Sequence, residues 1–89
     1  MRLPKHRPPT HPGEMLREEF FAPMRLTQVE AARRMSMPLT RLNEIVNGKR
    51  GVTADTAWRL ADLLGTTPQF WMNLQTAYDL WEARQARIA

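Results

Sequence analysis

The stretch from Thr27 to Arg50, TQVEAARRMSMPLTRLNEIVNGKR, decides how this 89-residue chain is read. Thr27 has the character of an N-cap, and Glu30 stands three residues later in a T-x-x-E capping-box pattern. The helix opened there is expected to turn Val29, Ala32 and Met35 inward, with Ala31 at their edge. Ser36, Met37 and Pro38 break it. Pro38, whose ring already holds a first-turn dihedral, then opens another helix with Leu42, Ile45 and Val46 on its buried side. Gly48 ends that helix, as the left-handed C-terminal position prefers. Two short amphipathic helices joined by a tight break, the second emptying into a basic glycine-bearing turn, form the helix-turn-helix pattern. In that pattern one helix crosses a nucleic-acid backbone and the next lies in the major groove.

Charge follows the motif. Residues 25–50 hold six basic side chains (Arg25, Arg33, Arg34, Arg41, Lys49 and Arg50) against two acidic ones, Glu30 and Glu44. Residues 14–24 and 51–89 are each net acidic, so the chain's net charge of +4 sits on the motif and the amino terminus. A pI near 10.7 favours anionic partners. A membrane surface fits less well, because the basic residues do not line one side of a single amphipathic helix. No apolar run approaches the roughly 18 residues that span a bilayer, and the mean hydropathy of −0.51 points to a soluble chain. With no cysteine, disulfides and thiolate metal sites are excluded, which fits a reducing cytoplasm. The opening MRLPKHRPPTHPG has no hydrophobic region behind its charges and does not read as a secretory signal.

Outward from the motif, residues 1–10 are basic and proline-rich and are expected to form a mobile tail. A first helix begins around Pro12, carries Met15, Leu16 and Phe20 on one side, and ends near Phe21, before Ala22-Pro23. Thr53 caps a fourth helix, whose Ala57, Leu60, Ala61 and Leu64 recur at helical spacing until Gly65 stops it. Thr67-Pro68 starts the last helix, about residues 68–86, with Phe70, Leu74, Ala77, Tyr78 and Trp81 along one side. No run alternates with period two. The expectation is an all-α, compact five-helix domain over residues 11–89, with its motif at about 27–47.

The outward stripe of the motif's second helix is Thr40, Arg41, Asn43, Glu44 and Asn47. Arg41 matches guanine O6/N7 in bidentate geometry, Asn43 matches adenine, and the Thr40 methyl can meet that of thymine. Residues near the start of a recognition helix reach furthest into the groove, which ranks Thr40 and Arg41 ahead of Asn43 and Glu44. Glu44 has alternatives: pairing with Arg41 or Lys49, or rejecting a wrong base. Lys49 and Arg50 read equally as phosphate contacts or as a charge pair at a helix C-terminus. Trp58, Trp71 and Trp81 read as packing and interface residues, since five helices cannot cover three indoles and four other aromatics. Leu74, Tyr78 and Trp81 are therefore the candidate homodimer stripe, with Trp81 exposed in a monomer.

From Gln28 onward the chain resembles the lambda-repressor-like domains of phage repressors and the Xre family. The phrase RLNEIVNGKRGVTADTAWRLADLLGTTPQFWMNLQTAYDL, with HPGE at 11–14, looks very like the HigA (VapI-like) antitoxins. The resemblance covers most of the chain and implies a DNA-binding autorepressor on an inverted-repeat operator, with a HigB-like, RelE-like mRNA-cleaving toxin as second partner. It also implies phosphate contacts from Thr27 and Gln28 at the start of the first motif helix, and from Asn47, Lys49 and Arg50 beyond the second. Two features depart from the phage pattern. Ser36 stands where glycine is common, so a positive φ there carries strain unless the turn changes shape. Pro38 displaces the usual Ser/Thr cap.

A stand-alone Xre-type regulator without a toxin, or a pure protein-interaction module, are the alternatives. A gel shift at two salt concentrations separates the second of these, and the neighbouring reading frame decides the first. An enzyme is not expected: no Cys/His or Ser/His/Asp set is present, and Glu14, Glu18 and Glu19 read as a solvated helix face. No cofactor or metal is expected either, with His6 and His11 read as solvated.

Overall fold

The computed structural model describes residues 8–88; most of the expected tail, His6 included, lies outside the described residues. The first helix, α1, opens at Pro12, where a missing amide donor costs nothing. His11 caps it: its Nδ1 accepts from the Gly13 N–H at 2.9 Å. The helix does not stop before Ala22-Pro23 as expected. An α turn (Pro12–Met15) widens into a π-helical segment (Leu16–Phe21) and closes with a last α turn (Ala22–Met24). Pro23 lacks an N–H and crowds the carbonyl four residues back, and the wide turn before it absorbs that misfit on an exposed face. Leu16 and Phe21, five residues apart, are both buried, a spacing that returns to one face only in the wider turn.

The motif helices follow as α2 (Gln28–Arg34) and α3 (Leu39–Val46), then α4 (Ala54–Leu64) and α5 (Pro68–Ile88). Among the described residues there are five helices and no strand. Thr27, Thr53 and Thr67 each accept a bond from the backbone N–H three residues on, at 3.1, 3.3 and 3.1 Å. The core gathers Leu16 and Phe21 from α1, Leu42, Ile45 and Val46 from α3, Ala57 and Leu60 from α4, and the fully buried Trp71 of α5. The Trp71 indole N–H donates to Thr66 Oγ1 at 2.7 Å, which satisfies its one polar atom.

Three expected placements are corrected. Val29 is 63% exposed rather than inward, and Ala31, Ala32 and Met35 form the buried stripe of α2. At helical spacing Ala31, Ala32 and Met35 define one face, and Val29 falls about a quarter-turn or more from its centre. Met37, expected only to break the helix, is buried. Pro38 is the extended N-cap of α3 (φ −60°, ψ 136°) rather than its first helical residue.

Candidate nucleic-acid interface

The turn between α2 and α3 is a left-handed helix stop. Ser36 has φ 53°, with its N–H bonded to the Arg33 carbonyl at 3.1 Å and that of Met37 to Ala32 at 2.9 Å. Met37 drops into the core immediately after, and this burial holds a serine in a conformation that glycine adopts without strain. Arg59 of α4 secures the same turn. Its Nη1 donates to the Met35 carbonyl at 2.6 Å while its Nε donates to Asp55 at 2.8 Å. At the far end of α3, Gly48 (φ +74°) closes an equivalent stop, with N–H bonds from Gly48 to Ile45 and from Lys49 to Glu44. A left-handed backbone stop thus bounds α3 at each end.

Thr40, Arg41, Asn43 and Asn47 are all exposed along α3, and Lys49 and Arg50 are exposed just beyond it. Of these, Asn43 and Asn47 are linked to Gln28 by side-chain hydrogen bonds, and Thr40 lies beside them. Arg41, Lys49 and Arg50 are exposed without a hydrogen bond to Gln28 or Thr27 among the described residues. A shallow open depression lined by Thr27, Gln28, Val29, Leu39, Thr40 and Asn43 joins the two helices there. Thr27 spends its hydroxyl as the α2 cap. Three side-chain amides form a chain across the surface: Asn43 Nδ2 donates to Gln28 Oε1 and Asn47 Nδ2 to Asn43 Oδ1, each at 3.2 Å. Asn43 is consequently engaged on both sides, whereas Arg41 has no ion pair among the described residues.

The basic residues of the motif divide into two sets. Glu30 holds Arg33 and Arg34 together, accepting from Arg34 Nε at 3.0 Å. Hydrogen bonds from Arg33 and then Arg34 lower its carboxyl to about 2, so the cluster stays ionised. Its carboxylate does not turn back to the Thr27 N–H, so only half of the capping box forms. Glu44 pairs with Arg50, 3.0 Å from Nη2, and not with Arg41 or Lys49, the two ion-pair partners offered as alternatives to its base contact. Arg25, Arg41 and Lys49 carry no ion pair among the described residues.

On the last helix, Leu74, Tyr78 and Trp81 are all half-buried, so Trp81, expected to be exposed in a monomer, is partly covered. Tyr78 is partly covered within the chain, because His11 packs edge-on against it at 4.8 Å while Trp81 lies 6.2 Å away. The large apolar side chains left uncovered on α5 are Leu80, 67% exposed, and Ile88. His11 itself was expected to be solvated. Burial lowers its pKa below the usual histidine value, against the opposing pull of Glu82, Asp79 and Glu14. Its position directly before a proline-opened helix was the available signal. Gln75, buried among the apolar positions of α5, was the other residue missed.

Comparison with known proteins agrees with this geometry. The helix-turn-helix family model matches residues 18–71. Virulence-associated protein I of Dichelobacter nodosus is 50% identical over 78 residues, covering 88% of this chain and 72% of that protein. Antitoxin HigA-1 of Vibrio cholerae is 45% identical over 85 residues, 94% of this chain and 78% of that one. The structure of Pseudomonas aeruginosa antitoxin HigA with higBA promoter aligns with a TM-score of 0.85 at 42% identity, over 88% of this chain and 85% of that chain. With a family model matching more than half of its length and relatives aligned over most of both chains, this chain belongs to the helix-turn-helix family and, within it, to the non-enzymatic HigA (VapI) antitoxins.

Proposed function

We propose that this protein is a cytoplasmic, sequence-specific autorepressor that binds an inverted-repeat operator as a homodimer, and that it also binds and neutralises a HigB-like toxin. The observation that carries the DNA reading is the exposed face of α3. Arg41 is free of ion pairs among the described residues and stands in the first turn, where a side chain reaches base edges. Thr40 adds a methyl beside it. Gln28, Asn47, Lys49 and Arg50 flank the pair and supply the phosphate contacts that fix register. A solved relative at 42% identity, antitoxin HigA with higBA promoter, supports the DNA-binding reading.

Two-fold symmetry would set the two recognition helices about 34 Å apart, one turn of DNA. The toxin-neutralising role rests on family membership. The test is a mobility shift of the DNA upstream of the protein's own reading frame, at low and high salt, beside an unrelated duplex. Specific binding that weakens steeply with salt is expected. Equal binding to both duplexes would reject sequence-specific repression.

A further inference from the structure

Gln75 lies on α5, away from the recognition face, yet its amide reaches the loop that carries the backbone-contact residues. Its Oε1 accepts from the Val52 N–H at 2.7 Å, a buried bond across 23 residues. Its Nε2 donates to Asp79 Oδ1 at 2.8 Å, one turn further along α5. Gly51 packs so closely on this amide that a Cβ there would lie 2.9 Å from Nε2. The loop between α3 and α4 is otherwise held at its two ends, by the Gly48 stop and by the Thr53 cap. Lys49 and Arg50 lie between the Gly48 stop and the Gly51–Val52 anchor, with their own side chains exposed.

A buried amide with both ends bonded has one orientation, so it transmits position as well as stability. We infer that Gln75 is a positioning residue for DNA binding: it fixes from the last helix the pose of the loop that presents Lys49 and Arg50 to the phosphate backbone. The inference rests on the DNA-binding reading above. A second contact reinforces it. Gly13 of α1 sits where any Cβ would meet the Ile45 carbonyl at 1.8 Å, and His11 beside it packs on Tyr78, one turn beyond Gln75. The C-terminal end of α3 is therefore held between two segments that both dock on α5.

The test uses the full chain and two duplexes, the upstream region of its own reading frame and an unrelated sequence. Gln75→Leu removes both amide bonds and leaves the Val52 N–H without its acceptor. It is expected to weaken binding to both duplexes by about tenfold, because phosphate contacts carry no sequence information. The log–log salt slope is expected to flatten by about one to two units. The double variant Gln75→Glu with Asp79→Asn reverses the donor and acceptor, since the new carboxylate can accept from both Val52 and the new amide. It is expected to restore affinity and slope.

A residue serving only stability would lower the folded fraction, read by circular dichroism, and leave affinity per folded molecule and salt slope unchanged. That result overturns the inference, as does wild-type binding by a folded Gln75→Leu protein. If Gln75→Leu does not fold, Gln75→Asn, too short to span Val52 and Asp79 together, is read in the same way. Failure of the wild-type protein to bind either duplex would instead remove the DNA-binding reading on which the inference stands.

Discussion

Arg41→Ala is expected to lower specific affinity by about 1–3 kcal/mol while leaving the fold intact, because the side chain leaves α3 on its exposed side. Operator titration beside a thermal melt checks it, and unchanged binding by the folded variant removes Arg41 from base readout. Ser36 makes the opposite kind of prediction. Its left-handed backbone, φ 53°, costs a serine energy that glycine does not spend, so Ser36→Gly is expected to stabilise the fold by about 0.5–1 kcal/mol. A denaturation midpoint that falls instead would mean that the hydroxyl contributes more than the backbone strain costs. His11 gives a pH dependence. Its folded pKa lies below the ordinary 6.5, so the native state prefers neutral imidazole, whose Nδ1 accepts the Gly13 bond. That contribution is present above pH 6.5 and is lost as the pH falls through the folded value. The wild-type protein should therefore lose stability on acidification in that window relative to His11→Asn, which keeps an uncharged cap. Parallel pH profiles for both proteins would refute this.

At the scale of elements, the loop after α3 carries a prediction of its own. Lys49→Ala with Arg50→Ala is expected to weaken binding to every sequence and flatten the salt slope by about one to two units. Arg50 is paired with Glu44, so its loss also leaves that carboxylate without its partner. An unchanged slope would return both residues to the solvated surface. Most of the elements were legible in the sequence because their ends were written in caps: Thr27, Thr53 and Thr67 at the starts, Gly48 and Gly65 at the stops. The end of α1 was not, since a proline normally stops a helix and only tertiary packing shows that a π-helical turn carries the chain past it. The exposure of the candidate residues on α3 was legible because a helix with three buried positions leaves its opposite face determined. Long-range partners escaped. The Val52–Gln75 bond and the Gly13–Ile45 approach depend on how helices pack, which no local spacing encodes.

Across the whole molecule, Arg41, Lys49 and Arg50 are exposed on and just beyond α3, while the distal half of α5 is left partly apolar. Removing residues 80–89 takes away Trp81 and the exposed Leu80 and Ile88, and is expected to give monomers that bind a half-site weakly, through loss of effective concentration. A dimer of the truncated protein in sedimentation, with undiminished operator affinity, would place the interface elsewhere. The three tryptophans sit at three depths: Trp71 fully enclosed, Trp81 half-covered, and Trp58 60% open to solvent. That gradation makes the unlabelled chain its own optical gauge. Trp71 emission follows loss of the interior, Trp81 follows events at the distal end of α5, and Trp58 meets an aqueous quencher first. A partner that settles on α4 would thus announce itself as shielding of Trp58 alone, whereas one that takes α5 would silence Trp81 and leave Trp58 as bright to quenchers as before.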